Sequence, residues 1–485
     1  MYPDWVERYR EAGKEIKKIR NAYYLYERKT VWDKEKKQPK KISGAYLGKI
    51  TEDGLVPPKK KMVDSEVMTG IVDKQYGATS YLESLGVDIS DKLKKHFPEI
   101  WQYIWVMALL RTEDPQPFKR LEQAYEHSWL SEKYPGLNMS KQSISSLLRI
   151  LGDMRGQSLD FMREYIQNVE HLIFDGTRIT TFSEEMRLAQ VGYNSQHSFD
   201  PQVNLVYAFS SGGTAFPVYF RPVSGSICDV TAFKSCCEEL GLGNSVIIAD
   251  KGFGSAKNFQ YLEENGLNYI VPLRRSCKEL DTEAIRNGYA NGFNDFFLYN
   301  NRPIWHFSRK DEKNNTQYIT YIDDTLRAKE ETDYINRMDK NLEGYSKEGF
   351  MEKRLKFGAI LLRTNLDKNA KAVYETYKKR MQIEQSFDVL KTLLEQDHSY
   401  MQSDTAFAAW AFLNHISLML CYRLYDQLQK SDILKKYSAK DVLYYLRDIR
   451  VIRIHGVWQF AEVTKKTRSL IHDLDSMWLI ENLVG

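Results

Sequence analysis

Two aspartates in the middle of the chain follow short apolar runs, where a buried strand would end. Asp175 ends the run LIF and Asp250 ends the run VIIA. Open α/β sheets bind ligands outside the carboxyl ends of their strands. If the two strands are neighbours, their backbones lie about 4.8 Å apart, so both carboxylates can reach one Mg²⁺. Asp-Gly and Asp-Lys-Gly are also ordinary turn sequences, so a turn stays open as the alternative at each site.

Other metal chemistry has no supporting pattern in the sequence. The five cysteines form no C-x-x-C pair, and the nine histidines show no spacing that would complete a zinc site. A bound metal would therefore be held by oxygen. The odd number of cysteines indicates free thiols in a reducing cytoplasm.

A third carboxylate lies on a long helix that the sequence predicts from about residue 369 to residue 395. Tyr377, Arg380, Glu384 and Lys391 have offsets of 0, 3, 7 and 14, which project within an arc of about 60° at 3.6 residues per turn. A carboxylate flanked by a tyrosine and two cations suits a phosphate site, whereas a solvated helix can carry the same charges as i, i+4 pairs.

The rest of this helix leaves the choice of carboxylate open. The residues beside the polar stripe are apolar and would face the core: Ile383, Phe387, Leu390 and Leu394. Asp388 and Glu395 project close to Glu384, so periodicity alone does not select Glu384.

The elements that would position these residues alternate between strands and helices. Between residues 171 and 273 the apolar and helical patterns follow the order strand, strand, strand, helix, strand, helix, strand, which predicts a mixed sheet covered by helices. Residues 276–355 are more polar and are interpreted as an insertion, partly β through RPIWHFSR and TQYITYID. The strand KFGAILLRT then leads into the glutamate helix.

Basic charge is concentrated at the N-terminus. Residues 1–61 hold 17 Lys and Arg against 9 Asp and Glu, a balance of +8 in a chain whose net charge is +4. This suits an arm that binds a polyanion, although a lysine-rich solvated surface has the same composition. Aromatic and β-branched runs between residues 17 and 50 predict a small antiparallel sheet there.

A helical pattern follows from about residue 64 to residue 168. Within it, Ser140–Leu151 begins at a plausible N-cap and is either the recognition helix of a helix-turn-helix or a plain amphipathic helix.

One apolar segment needs separate attention. Residues 405–422 run for 18 positions without a charge, close to the length of a membrane span. Asn414, His415 and Ser417 lie in its middle, where lipid would penalise them, which favours a buried core helix over a membrane contact. The charged N-terminus MYPDWVERYRE lacks the apolar core of a signal peptide and argues against secretion.

The spacing Y-x2-R-x3-E-x6-K, here Tyr377, Arg380, Glu384 and Lys391, resembles the signature of the IS-four-like branch of bacterial insertion-sequence transposases, which have a D-D-E catalytic triad. FDGT around Asp175 and ADKGF around Asp250 resemble the contexts of the two family aspartates, in the right order. The segment GSICD departs from the family's G-N-x-x-D loop at Ser226, which puts the role of that loop in doubt.

The resemblance covers about residues 172–420 and implies a fold, a metal centre and a substrate. The fold class is α/β: a ribonuclease-H-like mixed sheet with a β-rich insertion, flanked by an N-terminal basic β module plus helices and by a C-terminal helical region. The divisions are a basic DNA-binding arm at 1–62, a helical DNA-binding region at 63–168, the first part of the catalytic domain at 169–275, the β-rich insertion at 276–355, the glutamate helix at 356–400 and the C-terminal helical region at 401–485.

The family mechanism implies two Mg²⁺ or Mn²⁺ ions held by Asp175, Asp250 and Glu384, with Asp175 bridging both. Tyr377, Arg380 and Lys391 would grip phosphates. Trp305 would stack on a base flipped from the duplex, although a packed strand aromatic is the commoner explanation.

The implied partners are DNA, as the terminal inverted repeats of an insertion element and as the target, and a second copy of the chain in a homodimer on that DNA. No membrane partner is expected, and the expected location is cytoplasmic. Two alternatives remain: a transposase-derived DNA-binding protein that has lost catalysis, and a metal-dependent nuclease that cuts without joining.

Overall fold

The structure is a computed structural model of the chain. The structure describes residues 2–481 except 21, 34–37, 58–70, 168, 193–199, 212–214, 227–228, 243–244, 292–294, 313 and 381–397. The chain divides into two units, Met1–Ile71 with Ile454–Val457 and Val72–Arg453 with Trp458–Gly485.

The first unit is built on an antiparallel sheet of order β1-β2-β3-β4. Its elements are a short helix Asp4–Glu7 and the strands β1 (Lys14–Ile19), β2 (Ala22–Asp33), β3 (Gln38–Thr51) and β4 (Gly54–Val56). Side chains alternate across β2, so that Leu25 is buried with Ile50 while Tyr24 packs beside Tyr46. The small antiparallel sheet predicted here is confirmed, and it is longer than residues 17–50.

The second unit begins with strand β5 (Val72–Gln75) and continues as helices. These helices are Gly77–Leu85, Val87–His96, Trp101–Glu113, Leu121–His127, Leu130–Lys133, Lys141–Asp153 and Arg155–Arg163. The helix predicted after Ser140 is confirmed, and four of its apolar residues, among them Ile144 and Leu148, are buried. Gly152 lets it approach the helix Asp404–Lys430, because a Cβ at Gly152 would lie 2.0 Å from the carbonyl oxygen of Thr405.

A large mixed sheet forms the centre of the second unit, with the order β11-β12-β13-β14-β10-β9-β6-β7-β8 and β15 paired to β6. Its first strands are β6 (His171–Thr181), β7 (Gln202–Ser210), β8 (Phe216–Ser224), β9 (Val246–Ile248) and β10 (Asn268–Leu273), with helices Asp229–Leu240 and Ala256–Glu264 beside β9 in the chain. The predicted order of strands and helices is confirmed. β6, β9 and β10 run parallel, whereas β7 pairs antiparallel with both β6 and β8.

The segment interpreted as an insertion extends this same sheet. It contains helices Thr282–Asn291, Asp324–Asp339 and Lys347–Arg354 and strands β11 (Asp295–Tyr299), β12 (Arg302–Asp311) and β13 (Thr316–Asp323). β14 (Ala359–Thr364) joins the two parts because it pairs with β13 on one side and β10 on the other. The two strands predicted within the insertion are therefore confirmed, and they share hydrogen bonds with the main sheet.

The C-terminal part contains strands as well as helices. After β15 (His398–Ser399) come helices Asp404–Lys430, Ala439–Arg447, Lys465–Asp473 and Trp478–Glu481, together with a hairpin of β16 (Arg450–Ile454) and β17 (Val457–Phe460). β16 pairs with β5, for example Val451 with Lys74. The predicted C-terminal helices are present, and the hairpin is an addition that the sequence did not predict, because its pairing with β5 joins residues that are far apart in the chain.

The apolar segment at residues 405–422 is a core helix. Within the described part of the chain, Asp404–Lys430 is the one helix long and apolar enough to span a membrane, and 83% of its most apolar window is buried inside the protein. Two of its polar residues, Asn414 and Ser417, bond to the helix Trp101–Glu113: Asn414 Oδ1 accepts from Arg111 Nη2 at 2.8 Å, and Ser417 Oγ donates to the Ala108 carbonyl at 3.1 Å. These partners explain why the polar residues interrupt the apolar run.

Candidate active site

Asp175 lies inside strand β6, at the point where its burial changes. Leu172, Ile173 and Phe174 are fully buried, whereas Asp175 is half-buried and the strand continues to Thr181. The alternative of a turn at Asp175-Gly176 is wrong, because β6 continues its pairing with β7 through both residues. The Asp175 Oδ1 atom accepts a hydrogen bond from the Gly176 backbone at 2.9 Å.

Asp250 follows strand β9 after one residue. Val246–Ile248 and Ala249 are buried, and Asp250 keeps an extended backbone before the single turn Lys251–Phe253. Both sequence interpretations therefore apply to Asp250, since it follows a buried strand and also begins a turn.

The strand pairing sets the two aspartates at the same level. β6 and β9 are parallel neighbours, with Ile173 opposite Ile248. Asp175 and Asp250 each lie two residues beyond this pair, so they leave the same face of the sheet on strands about 4.8 Å apart.

The predicted glutamate helix reaches this site through Arg380. The structure describes helical residues 370–380, beginning after Asn369, whose Oδ1 accepts from the Ala372 backbone at 2.9 Å. Arg380 Nη1 lies 3.5 Å from Asp250 Oδ1, and the Arg380 side chain is only 11% exposed.

Tyr377 lies one turn before Arg380 and is half-buried against the main core. Glu384 and Lys391 lie outside the described residues, and their roles stay predictions. Among the described residues no group of three or more His, Cys, Asp or Glu could hold a metal ion. Asp175 and Asp250 supply the hard oxygen donors that a divalent cation such as Mg²⁺ takes. The Arg380 guanidinium lies beside Asp250, in the kind of place that a metal ion would take.

Trp305 lies away from the aspartates. It pairs with Ile322 in the extension of the sheet and packs beside Phe296 with ring centroids 5.1 Å apart. β12 is four strands from β9, a distance of roughly 19 Å. The half-buried ring also contacts a small core that contains Ile322. These contacts fit the packed strand aromatic, and the stacking role stays a prediction.

One residue near the site had no sequence signal of its own. Tyr422 belongs to the apolar run of the helix Asp404–Lys430, and it is buried. Burial first, and then the nearby Asp175 carboxylate, raise the pKa of its hydroxyl. Tyr422 therefore stays neutral near Asp175.

Local packing holds Gly225 and Ser226, the first two residues of the GSICD segment. A Cβ at Gly225 would lie 2.0 Å from the Gln202 carbonyl oxygen, so this position requires glycine. Ser226, the residue that departs from the family pattern, bonds to the Gln190 side chain and to Ser224 Oγ.

The family described as transposase DDE domain matches residues 168–420, just over half of the chain. This chain belongs to the transposase DDE domain family. The matched range includes Asp175, Asp250 and Glu384. Members of the family are enzymes of transposition, and they generally use divalent metals. The resemblance to D-D-E transposases drawn from the sequence is thereby confirmed at the level of the family.

Two further comparisons add context. No curated protein matches this chain significantly. Among solved structures it is similar to the cryo-EM structure of a piggyBac transposase synaptic complex with hairpin DNA, with a TM-score of 0.38 and 13% identity over 80% of this chain and 77% of that one. No conclusion about this family member is drawn from so distant a likeness.

Proposed function

We propose that this chain is a metal-dependent DNA transposase of the IS-four-like branch, which cleaves the ends of an insertion element and joins them to target DNA. The observation that carries the proposal is the arrangement of Asp175 on β6 and Asp250 just after the parallel neighbour β9, each two residues beyond the pair Ile173 and Ile248, with Arg380 3.5 Å from Asp250. Glu384 follows Arg380 by four residues in the sequence, as the family signature requires.

A ribonuclease-H-like fold is part of this proposal. The order β8-β7-β6-β9-β10 supports it, since Asp175 lies on the central strand β6 and Asp250 follows its parallel neighbour β9. The extension β11–β13 precedes the glutamate segment in the chain, where the branch carries its β-rich insertion.

Asp175, Asp250 and Glu384 would hold two Mg²⁺ or Mn²⁺ ions. When bound, two such ions activate a water and stabilise the departing 3′ oxygen of a phosphodiester. The chain itself supplies the ligands and the positioning groups. Arg380 is already held at the site by Asp250, so its guanidinium is placed to contact a phosphate beside the cut with little loss of side-chain entropy. Tyr377 and Lys391 would contact neighbouring phosphates.

The partners in this proposal are the element's terminal repeats, target DNA and a second copy of the chain on that DNA. Nothing in the mechanism requires a covalent protein intermediate, because the freed 3′ hydroxyl attacks the target phosphodiester directly and displaces its 3′ oxygen.

The test is a cleavage and joining assay with the purified chain, element-end DNA and Mg²⁺. We expect cut ends and joined products, their loss on chelation and their return with Mn²⁺. Asp175→Ala, Asp250→Ala and Glu384→Ala should each lower cleavage by more than about 100-fold, the upper end of the cost of losing an outer-shell partner. DNA binding should stay within several-fold, since binding rests on cations elsewhere.

Asp295→Ala is the matched control. Its Oδ1 accepts from the next backbone nitrogen at 2.8 Å, as Asp175 does at 2.9 Å, but it lies on the outermost strand β11. Cutting without joining would favour the nuclease, and DNA binding without cutting would favour the DNA-binding descendant. Full cleavage by any one of the three variants would remove that residue from the site.

A further inference from the structure

A large groove in the second unit is lined by cations. Its volume is about 1550 Å³, beyond the range of roughly 300–1000 Å³ of pockets for small molecules. Lys119, Lys141, Arg149 and Lys440 line it and are exposed. None of the described residues that line the groove is an aspartate or glutamate. Its charge and size fit an extended polyanion.

The cations come from separate elements. Lys141 and Arg149 lie on the helix Lys141–Asp153, whose amino end also directs its positive dipole toward anions. Lys119 precedes that helix in the chain, and Lys440 lies in the first turn of the helix Ala439–Arg447. The helix Lys141–Asp153 is the one that the sequence singled out for DNA recognition. Its exposed Lys141 and Arg149 line the groove beside its buried Ile144 and Leu148.

Exposed aromatic rings lie along the same groove. Tyr400 lines it and is 75% exposed. His398 also lines it and stacks on Phe182, with ring planes 12° apart and centroids separated by 6.5 Å. Phe182 is itself 66% exposed. A cationic groove with exposed aromatic faces is the common arrangement for single-stranded nucleic acid, since the bases of an intact duplex are stacked on each other and cannot reach the rings.

Strand β6 connects the groove to the candidate active site. His398 pairs with Thr180, five residues beyond Asp175 on the same strand. At about 3.3 Å per residue the separation is roughly 17 Å, the length of about five nucleotides at 3.4 Å each. We propose that this groove binds an unpaired stretch of DNA strand next to the cut site. The identity of the polyanion as DNA rests on the proposed function.

The test measures binding of the full chain to fluorescein-labelled dT20 and to a 20-bp duplex by anisotropy between 50 and 200 mM salt. Lys119→Ala with Arg149→Ala should lower the steepness of the log affinity against log salt for dT20 by about 1.4, at about 0.7 per lost contact on a single strand. Tyr400→Ala should weaken dT20 binding roughly 5- to 100-fold, the range for loss of one stacked base. The duplex should be affected less in both cases.

Two control variants match the residue types. Tyr444→Ala removes a tyrosine that is 71% exposed and does not line the groove, and Lys340→Ala removes an exposed lysine at the end of the helix Asp324–Asp339. Both should bind dT20 as the unchanged chain does. Because Tyr400 is exposed, its loss should not alter thermal unfolding, which is measured in parallel.

Unchanged dT20 binding in the groove variants would overturn the proposal. Equal losses on dT20 and duplex would overturn it in favour of a duplex-binding surface. The cleavage assay separates this result from the proposed function: a chain that cuts element ends while its groove variants bind dT20 normally keeps the function and loses the groove. If the chain cuts nothing but its groove variants lose dT20 binding, the groove proposal stands and the proposed function fails.

Discussion

Glu113 is a buried carboxyl, and its ionisation as the pH rises should lower the stability of the second unit. It ends the helix Trp101–Glu113, its side chain is 4% exposed, and Arg447 Nε lies 3.4 Å from its Oε1. Burial raises the pKa of Glu113 from 4.5 to about 7, against the opposing effect of Arg447. Desolvation therefore outweighs the ion pair at this position.

The sign and size follow from proton linkage. Since the pKa is higher in the folded chain, the folded state holds the proton more tightly, and stability is lost as pH rises from about 4.5 to about 7. At about 1.4 kcal/mol per pH unit the full loss is about 3 kcal/mol. Glu113→Gln keeps the shape and removes the ionisation, so it should stabilise the chain by about that amount at pH 8.5 and by about half as much at pH 5.5.

The assay is thermal unfolding at pH 5.5 and pH 8.5. With an unfolding entropy of about 2.1 cal/mol/K per residue, 3 kcal/mol corresponds to about 3–4 °C for a unit of this size. Asp114→Asn is the matched control, because Asp114 also contacts Arg447, at 3.2 Å, but is 50% exposed and should change the melting temperature little. A lower melting temperature for Glu113→Gln at pH 8.5, or the same gain at both pH values, would refute the reasoning.

Two further predictions concern DNA binding. Arg380→Ala and Lys391→Ala should each slow cleavage and lower the steepness of log affinity against log salt on duplex DNA by about 0.9, and an unchanged steepness in both would assign them to packing. Residues 1–61 have a charge balance of +8 and form most of the first unit. Their removal should weaken DNA binding at low salt and flatten its salt dependence, while cleavage at high DNA concentration persists. If affinity and salt dependence stay the same, the lysines are a solvated surface, and if the shortened chain fails to fold, the arm is part of the core.

The sequence by itself determined the local features around the site. The runs before Asp175 and Asp250 predicted buried strands because a short apolar run bounded by turn residues is typical of a buried strand. The alternation of strands and helices between residues 171 and 273, the helix after Ser140 and the antiparallel sheet of the first unit follow from the same short-range patterns.

Only the tertiary structure decided which of these elements meet. The pairing of Ile173 with Ile248 makes the two aspartates level, and nothing in either run specifies its neighbour. The contact of Arg380 with Asp250 joins residues 130 positions apart in the chain. The extension of the main sheet through β14 and the pairing of β16 with β5 are long-range in the same way. Periodicity reports which face of an element is buried, whereas the partner that buries it is chosen by packing and hydrogen bonding over the whole chain.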